Sequence, residues 1–154
     1  PAVKEALLYD DKVIIEQMIK GKEIKVAILE EPDTNELLVG ELCEITMPDG
    51  GINDYDTKYI THTSVKKIPA ETAEQTADLI KAQSKMIFRK LECKGFARVD
   101  FFLTDDGDIY FNEINTVPGF GKNSIYSLMF EAKGIPYSEI IARLIDNTLI
   151  KTHV

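Results

Sequence analysis

Arg98 to Gly119 reads RVDFFLTDDGDIYFNEINTVPG. Its first half has the alternation of a strand, Asp106-Gly107 is a strong two-residue turn signal, and its second half reads as a strand returning antiparallel. With those two residues at the tip, Thr104 pairs with Ile109, Phe102 with Phe111, Asp100 with Glu113 and Arg98 with Asn115. Successive side chains point to opposite faces of a strand. Val99, Phe101, Leu103, Tyr110 and Ile114 therefore fall on one face, the core face, and Arg98, Asp100, Phe102, Phe111, Glu113 and Asn115 on the other. The second face sets two carboxylates opposite each other. At about 4 Å the repulsion is roughly 1 kcal/mol in water and about 4 at an effective dielectric near 20. Hard oxygen donors converging from paired strands suit Mg²⁺, which binds through one or two carboxylates while phosphates and waters complete its octahedron. A bound cation would remove the repulsion, and so would a solvated face in which Arg98 screens both carboxylates. An EF-hand placed on Asp106, Gly107 and Glu113 would put Phe102 at its first ligand position, so calcium is not the expectation.

Outward from this hairpin, 154 residues with 44% hydrophobic content suffice for one domain with a real core. The net charge of −8 argues against a protein that grips a nucleic-acid backbone. Cys43 and Cys93 are far apart and lack metal-ligand spacing, which fits reduced thiols in a cytoplasmic protein. The apolar runs are too short to span a bilayer, so no membrane partner is expected. A start at Pro1 inside a helical pattern is what a piece of a longer chain would show.

Ala2 to Tyr9 reads as the tail of a helix and Lys12 to Ile19, KVIIEQMI, as a strand. EIKVAILEE and LLVGELCEI read as two strands of a hairpin joined by PDTNE. Met47 to about Ser64 has no period, and its two tyrosines, Tyr55 and Tyr59, with Lys58 favour a functional loop. Glu71 to Cys93 carries Ala73, Ala77, Ile80, Ser84, Ile87, Phe88 and Leu91 on one helical face. Further helices are expected from about Ser124 to Lys133, stopped by Gly134 and Pro136, and from Ser138 to about Ile150. Strands, one crossing helix, a hairpin and terminal helices make an α+β layer architecture.

The ordered set IIEQMIKGKEIKVAIL, DYDTKY, CKGFARVDFFL and NEINTVPG resembles the ATP-grasp superfamily, and within it the D-alanine–D-alanine ligases, including the D-alanine–D-serine ligases. The resemblance runs over essentially the whole chain and matches the carboxy-terminal part of such an enzyme. It implies an ATP-grasp fold with an antiparallel sheet flanked by helices, residues 1–17 being the tail of the central subdomain and 18–154 the C-terminal catalytic subdomain. It implies ATP and Mg²⁺ or Mn²⁺ as cofactors, D-alanine and a second D-amino acid as substrates, a cytoplasmic enzyme of peptidoglycan synthesis, and a homodimer at full length.

The same resemblance assigns roles residue by residue. Asp100, Glu113 and Asn115 would hold the metal. Arg98 and the amide of Gly119 would form the oxyanion site, donors aimed where charge develops. Lys58 would reach the transferred phosphate, with Tyr55 and Tyr59 closing the loop over it. Glu16, Gln17 and Ile19 would belong to the hinge that receives adenine, Glu23 would accept from the ribose hydroxyls, and Phe102 and Phe111 would pack under the base. Ser124 and the amide of Ile125 would hold the second amino acid's carboxylate at a helix start. Read without the family, Lys58 is a solvated loop lysine, Glu23 a strand-edge charge and Ser124 an N-cap.

Asn53 stands where many of these ligases carry an aromatic, and Gly121-Lys122-Asn123 replaces the usual Thr-Ser before Ser124. Both departures lie beside the acceptor site. The amino-terminal lobe and the glycine-rich phosphate loop of a complete ligase have no counterpart in this chain, so alone it is expected to be inactive. Two other readings stay open: an ATP-grasp ligase for another carboxylate and amine, and a non-catalytic metal-binding domain.

Overall fold

The computed structural model describes residues 2–46 and 65–152, with side chains described through 149. A short helix, α1 (Ala2–Ala6), precedes β1 (Lys22–Glu30), β2 (Leu37–Val39), β3 (Cys43–Thr46) and β4 (Val65–Lys67). Then come α2 (Glu74–Lys90), the hairpin β5 (Phe96–Leu103) and β6 (Ile109–Asn115), and finally α3 (Ile125–Glu131) and α4 (Tyr137–Thr152). The strands form one antiparallel sheet in the order β4-β3-β1-β5-β6, with β2 pairing to β1 beside β3. The α+β expectation holds. Among the described residues no helix is long and apolar enough to cross a membrane.

The sheet is covered on both faces: β1 and β5 are apolar along one face and, on the other, apolar at Ala27, Leu29 and Phe96. Ile24, Val26 and Ile28 join Val99, Phe101 and Leu103 under Ile80 and Phe88 of α2. On the opposite face Ala27 and Leu29 meet Tyr126, Met129 and Phe130 of α3 and Ile140 of α4. Each large side chain so buried contributes about 1.5–3 kcal/mol. Helix α2 turns Ala77, Ile80, Ser84, Ile87 and Phe88 inward as the spacing predicts, while Leu91, just past its end, is exposed.

Lys12–Ile19 is not a strand. The segment is irregular, and Ile14, Ile15 and Met18 stand in solvent. A β-branched run favours a strand only where a neighbour takes its backbone hydrogen bonds, and among the described residues no strand pairs with it. The expected strand LLVGELCEI is broken at Gly40–Leu42. There α3 presses on the chain: Glu41 N–H donates to Met129 O at 2.9 Å, and a Cβ on Gly40 would come within 3.0–3.1 Å of Met129.

The hairpin departs from its expected geometry in one instructive way. Thr104 N–H donates to Asp108 O, so the tip is a three-residue loop of Asp105, Asp106 and Gly107, with Gly107 at φ +90°. That conformation suits glycine. Leu103 pairs with Ile109, Phe102 with Tyr110 and Phe101 with Phe111; the register then shifts between Phe101 and Asp100, leaving Asn112 as the extra residue. Beyond this bulge Asp100 faces Glu113 and Arg98 faces Asn115, as expected. The loop moves the register by one and the bulge moves it back.

Candidate functional site

On the α3–α4 face of the sheet strand register sets a grid, of which Ala27, Cys43 and Ile45 belong to the core under the helices. Ile45, Glu23, Phe102 and Tyr110 form one row across β3, β1, β5 and β6, and Cys43, Lys25, Asp100 and Glu113 the next. Ala27, Arg98 and Asn115 form the third. Because opposite residues of paired strands share a face, these eleven side chains from four strands share one face without any loop.

Charge alternates across this grid. Lys25 Nζ lies 2.5 Å from Glu23 Oε1 and 2.9 Å from Asp100 Oδ2. Arg98 grips both oxygens of Asp100, Nε to Oδ1 at 2.7 Å and Nη2 to Oδ2 at 2.8 Å, and the same Nη2 is 3.9 Å from Glu113 Oε1. Asn115 Nδ2 donates to Glu113 Oε1 at 3.0 Å. Asp100 is completely buried and Glu113 half exposed. Burial acts most strongly on the Asp100 carboxyl and pushes its pKa up, but Arg98 and Lys25 together outweigh burial and hold it below the usual value.

The structure brings together Arg98, Asp100, Glu113, Asn115, Glu23 and Phe102. It moves Phe111 to the opposite face, against Phe101 at 6.1 Å between ring centroids, because the bulge changes the alternation of β6. Tyr110, expected in the core, takes the place beside Phe102. Glu16 and Gln17 are exposed and Ile19 is half-buried on the irregular approach to β1, where no regular pairing among the described residues ties them to the grid. Lys58, Tyr55 and Tyr59 lie outside the described residues.

The loop from residue 116 to 124 carries Gly119 past the end of β6. Its anchor is Phe120, whose ring sits 5.4 Å from Phe96, 5.8 Å from Tyr126 and 5.5 Å from Tyr137. Ser124 is the N-cap of α3, accepting from Ser127 N–H at 3.3 Å. Ser127 Oγ in turn donates to Gly121 O at 2.8 Å, closing the loop onto the helix. Lys25 and Phe120 are the two residues that sequence reasoning missed. Lys25 was signalled by Glu23 and Lys25 falling two apart on a strand face otherwise made of Ala27 and Leu29. An open apolar groove between Phe120 and α4, lined also by Ile141, Leu144 and Ile145, has no charged side chain among its described lining residues and is not this site.

Among the described residues no three His, Cys, Asp or Glu side chains gather as a metal-binding group. The donor set here is two carboxylates and one amide. With Asn115 Nδ2 donating to Glu113, its Oδ1 remains the acceptor, so Asp100, Glu113 and Asn115 offer hard oxygen donors from one face, which fits a divalent ion such as Mg²⁺.

Residues 1–146 match the family model described as "D-ala D-ala ligase C-terminus". The chain belongs to the D-alanine–D-alanine ligase family. It is 44% identical over 149 residues to the D-alanine–D-alanine ligase of Acetivibrio thermocellus, covering 94% of this chain and 39% of that protein. Among solved structures it is similar to the VanG D-Ala:D-Ser ligase of Enterococcus faecalis, with 36% identity and a TM-score of 0.78 over 95% of this chain and 41% of that one. It is also similar to the D-alanine–D-alanine ligase of Coxiella burnetii, with 32% identity and a TM-score of 0.78 over 99% of this chain and 38% of that one. The chain thus spans about two fifths of the length of these ligases and corresponds to their carboxy-terminal part.

Proposed function

We propose that the complete protein carrying this chain joins D-alanine to a second D-amino acid with ATP, through an acyl-phosphate, and that this chain supplies one wall of the nucleotide cleft and the metal-binding carboxylates. The observation that carries the reading is the Arg98, Asp100, Glu113 and Asn115 face on the β5–β6 pair of a chain in this ligase family. The ligand set would hold Mg²⁺ or Mn²⁺, which supplies charge neutralisation on the phosphates. Glu23, in the neighbouring row, would accept from the ribose hydroxyls, and Phe102 would pack under the base.

The first D-alanine's carboxylate oxygen attacks the γ-phosphorus and ADP leaves. The second amino acid's amine then attacks the acyl carbon, and collapse of the oxyanion expels phosphate. Arg98 fits the oxyanion role because Asp100 fixes its fork from one side. The amide of Gly119 would supply the second donor, on a loop held by Phe120. Lys58 with Tyr55 and Tyr59 would close over the phosphates and exclude water, and Glu16, Gln17 and Ile19 would form the adenine hinge once the central subdomain pairs with them. Ser124 and the Ile125 amide would hold the acceptor's carboxylate. D-Alanine is the acceptor favoured by the 44% identical relative, and a cytoplasmic dimer supplying peptidoglycan synthesis is the corresponding setting.

The test is nucleotide turnover by the complete protein with D-alanine, D-serine and D-lactate offered separately as acceptors. One ADP per D-alanyl-D-alanine supports the reading; a preference for D-serine reassigns the acceptor alone. ATP hydrolysis indifferent to D-alanine overturns it.

A further inference from the structure

We propose that Lys25 is a resident counter-cation that a divalent ion must displace from Asp100, so that it weakens metal binding in the absence of nucleotide. This rests on Asp100 being a metal ligand, as argued above. Lys25 projects from the central strand and is only 4% exposed, and its Nζ bridges Glu23 Oε1 and Asp100 Oδ2. A buried ammonium needs such partners, because an unpaired one is strongly unfavourable. A carboxylate offers about four lone-pair sites. Three are taken on Asp100: Oδ1 by Arg98 Nε, and Oδ2 by both Arg98 Nη2 and Lys25 Nζ.

The two cations on Asp100 are not equivalent. Arg98 is a rigid two-pronged clamp, whereas Lys25 is a point charge on a flexible stem. Lys25 can leave Asp100 and keep Glu23, the carboxylate in the adjacent row on its own strand. The charge balance points the same way. Glu23, Asp100 and Glu113 stand against Lys25, Arg98 and, at the β4 end of the Glu23 row, the exposed Lys66, a face with no net charge before any ion binds. Removing Lys25 leaves three carboxylates against Arg98 and the more distant, exposed Lys66, a stronger site for a divalent ion. The negative charge of a nucleotide's phosphates would offset Lys25 in the native protein, so metal and nucleotide would bind together more readily than metal alone.

The experiment is a Mn²⁺ titration of the complete protein, read by the loss of the free-ion paramagnetic resonance signal, with and without a non-hydrolysable ATP analogue. Without nucleotide, Lys25→Gln is expected to bind Mn²⁺ about tenfold more tightly than wild type, and Lys25→Arg to stay close to wild type. Lys22→Gln, which removes the same charge from the opposite face where Lys22 meets Glu44, is expected to change nothing. An independent readout in the wild type covers a variant that does not fold: the proton–nitrogen resonance of the Lys25 ammonium should shift on adding Mg²⁺. Unchanged affinity in Lys25→Gln, or an unmoved ammonium resonance, overturns the role of Lys25 while nucleotide-dependent Mn²⁺ binding persists. Absence of Mn²⁺ binding in every variant even with the analogue overturns the metal site itself. A Lys25→Gln protein that loses only nucleotide affinity makes Lys25 a phosphate contact and overturns the counter-cation role.

Discussion

Asp100 and Glu113 face each other across β5 and β6 yet occupy opposite environments: the Asp100 side chain is 0% exposed and held by Arg98 and Lys25, and that of Glu113 is 54% exposed. The mutual repulsion expected of the pair is therefore neutralised on the Asp100 side by protein cations. With Glu113 as the proposed metal ligand, Glu113→Gln in the complete protein should lower turnover by orders of magnitude while moving metal-free stability by less than about 0.5 kcal/mol, since exposed charges contribute little. Asp100→Ala should instead cost about 3–5 kcal/mol, because it strands two cations in a poorly solvated site. Urea melts in chelator on both variants check this contrast. Equal losses would place both carboxylates in one environment.

Much of this face was legible because period-two alternation is robust once a turn is located. Asp100 and Glu113, and Arg98 and Asn115, pair as the sequence implies, even though the turn itself has three residues and not two. The bulge at Asn112 was not legible, since either tip geometry suits Asp-Asp-Gly and only the bulge restores the register. Phe111 and Tyr110 consequently exchanged faces. Lys12–Ile19 has the composition of a strand but its partner decides whether it becomes one, and composition does not report partners. Lys25 could have been placed only by combining the β1 alternation with the β1–β5 register, a long-range pairing.

Gly21 positions this site through a close backbone approach. A Cβ there would lie 2.3 Å from Leu103 O, 2.8 Å from Leu103 C and 3.0 Å from Thr104 Cα, none of which can rotate away. Gly21→Ala should push the start of β1 off the end of β5, displacing Glu23 and Lys25, and lower stability by about 1–3 kcal/mol. Melting and nucleotide titration of the same variant should both show losses. A variant that keeps its melting point would show that the junction can open freely.

Cys43 gives a pH dependence on the alkaline side. Burial, partly countered by Lys25 and Lys66, pushes its thiol up to about 11 from an ordinary value of 9.0. The folded form thus holds its proton where an unfolded thiol has lost it. The associated stability is complete below pH 9 and disappears as pH rises through 11. Reaction with a thiol reagent at pH 8 should label Cys93, which is half-buried, well before Cys43. Faster labelling of Cys43 would mean that the β1–β3 pair opens at that site.

Phe120→Ala should test the loop anchor. The substitution removes contacts to Phe96, Tyr126 and Tyr137, at a cost of about 1–3 kcal/mol for a partly buried aromatic. With the 116–124 loop loosened, kcat should fall more than nucleotide affinity, because Gly119 is proposed to act at the adduct and not on the nucleotide. Parallel losses in both would remove the loop from that step.

Isotope transfer tests the acyl-phosphate directly. The complete protein is supplied with ATP, Mg²⁺ and D-alanine carrying ¹⁸O in both carboxylate oxygens, and the released phosphate is examined by mass spectrometry. Attack of the carboxylate on the γ-phosphorus leaves one labelled oxygen in each phosphate for every dipeptide formed. Dipeptide accompanied by unlabelled phosphate would contradict the mechanism assigned to this site.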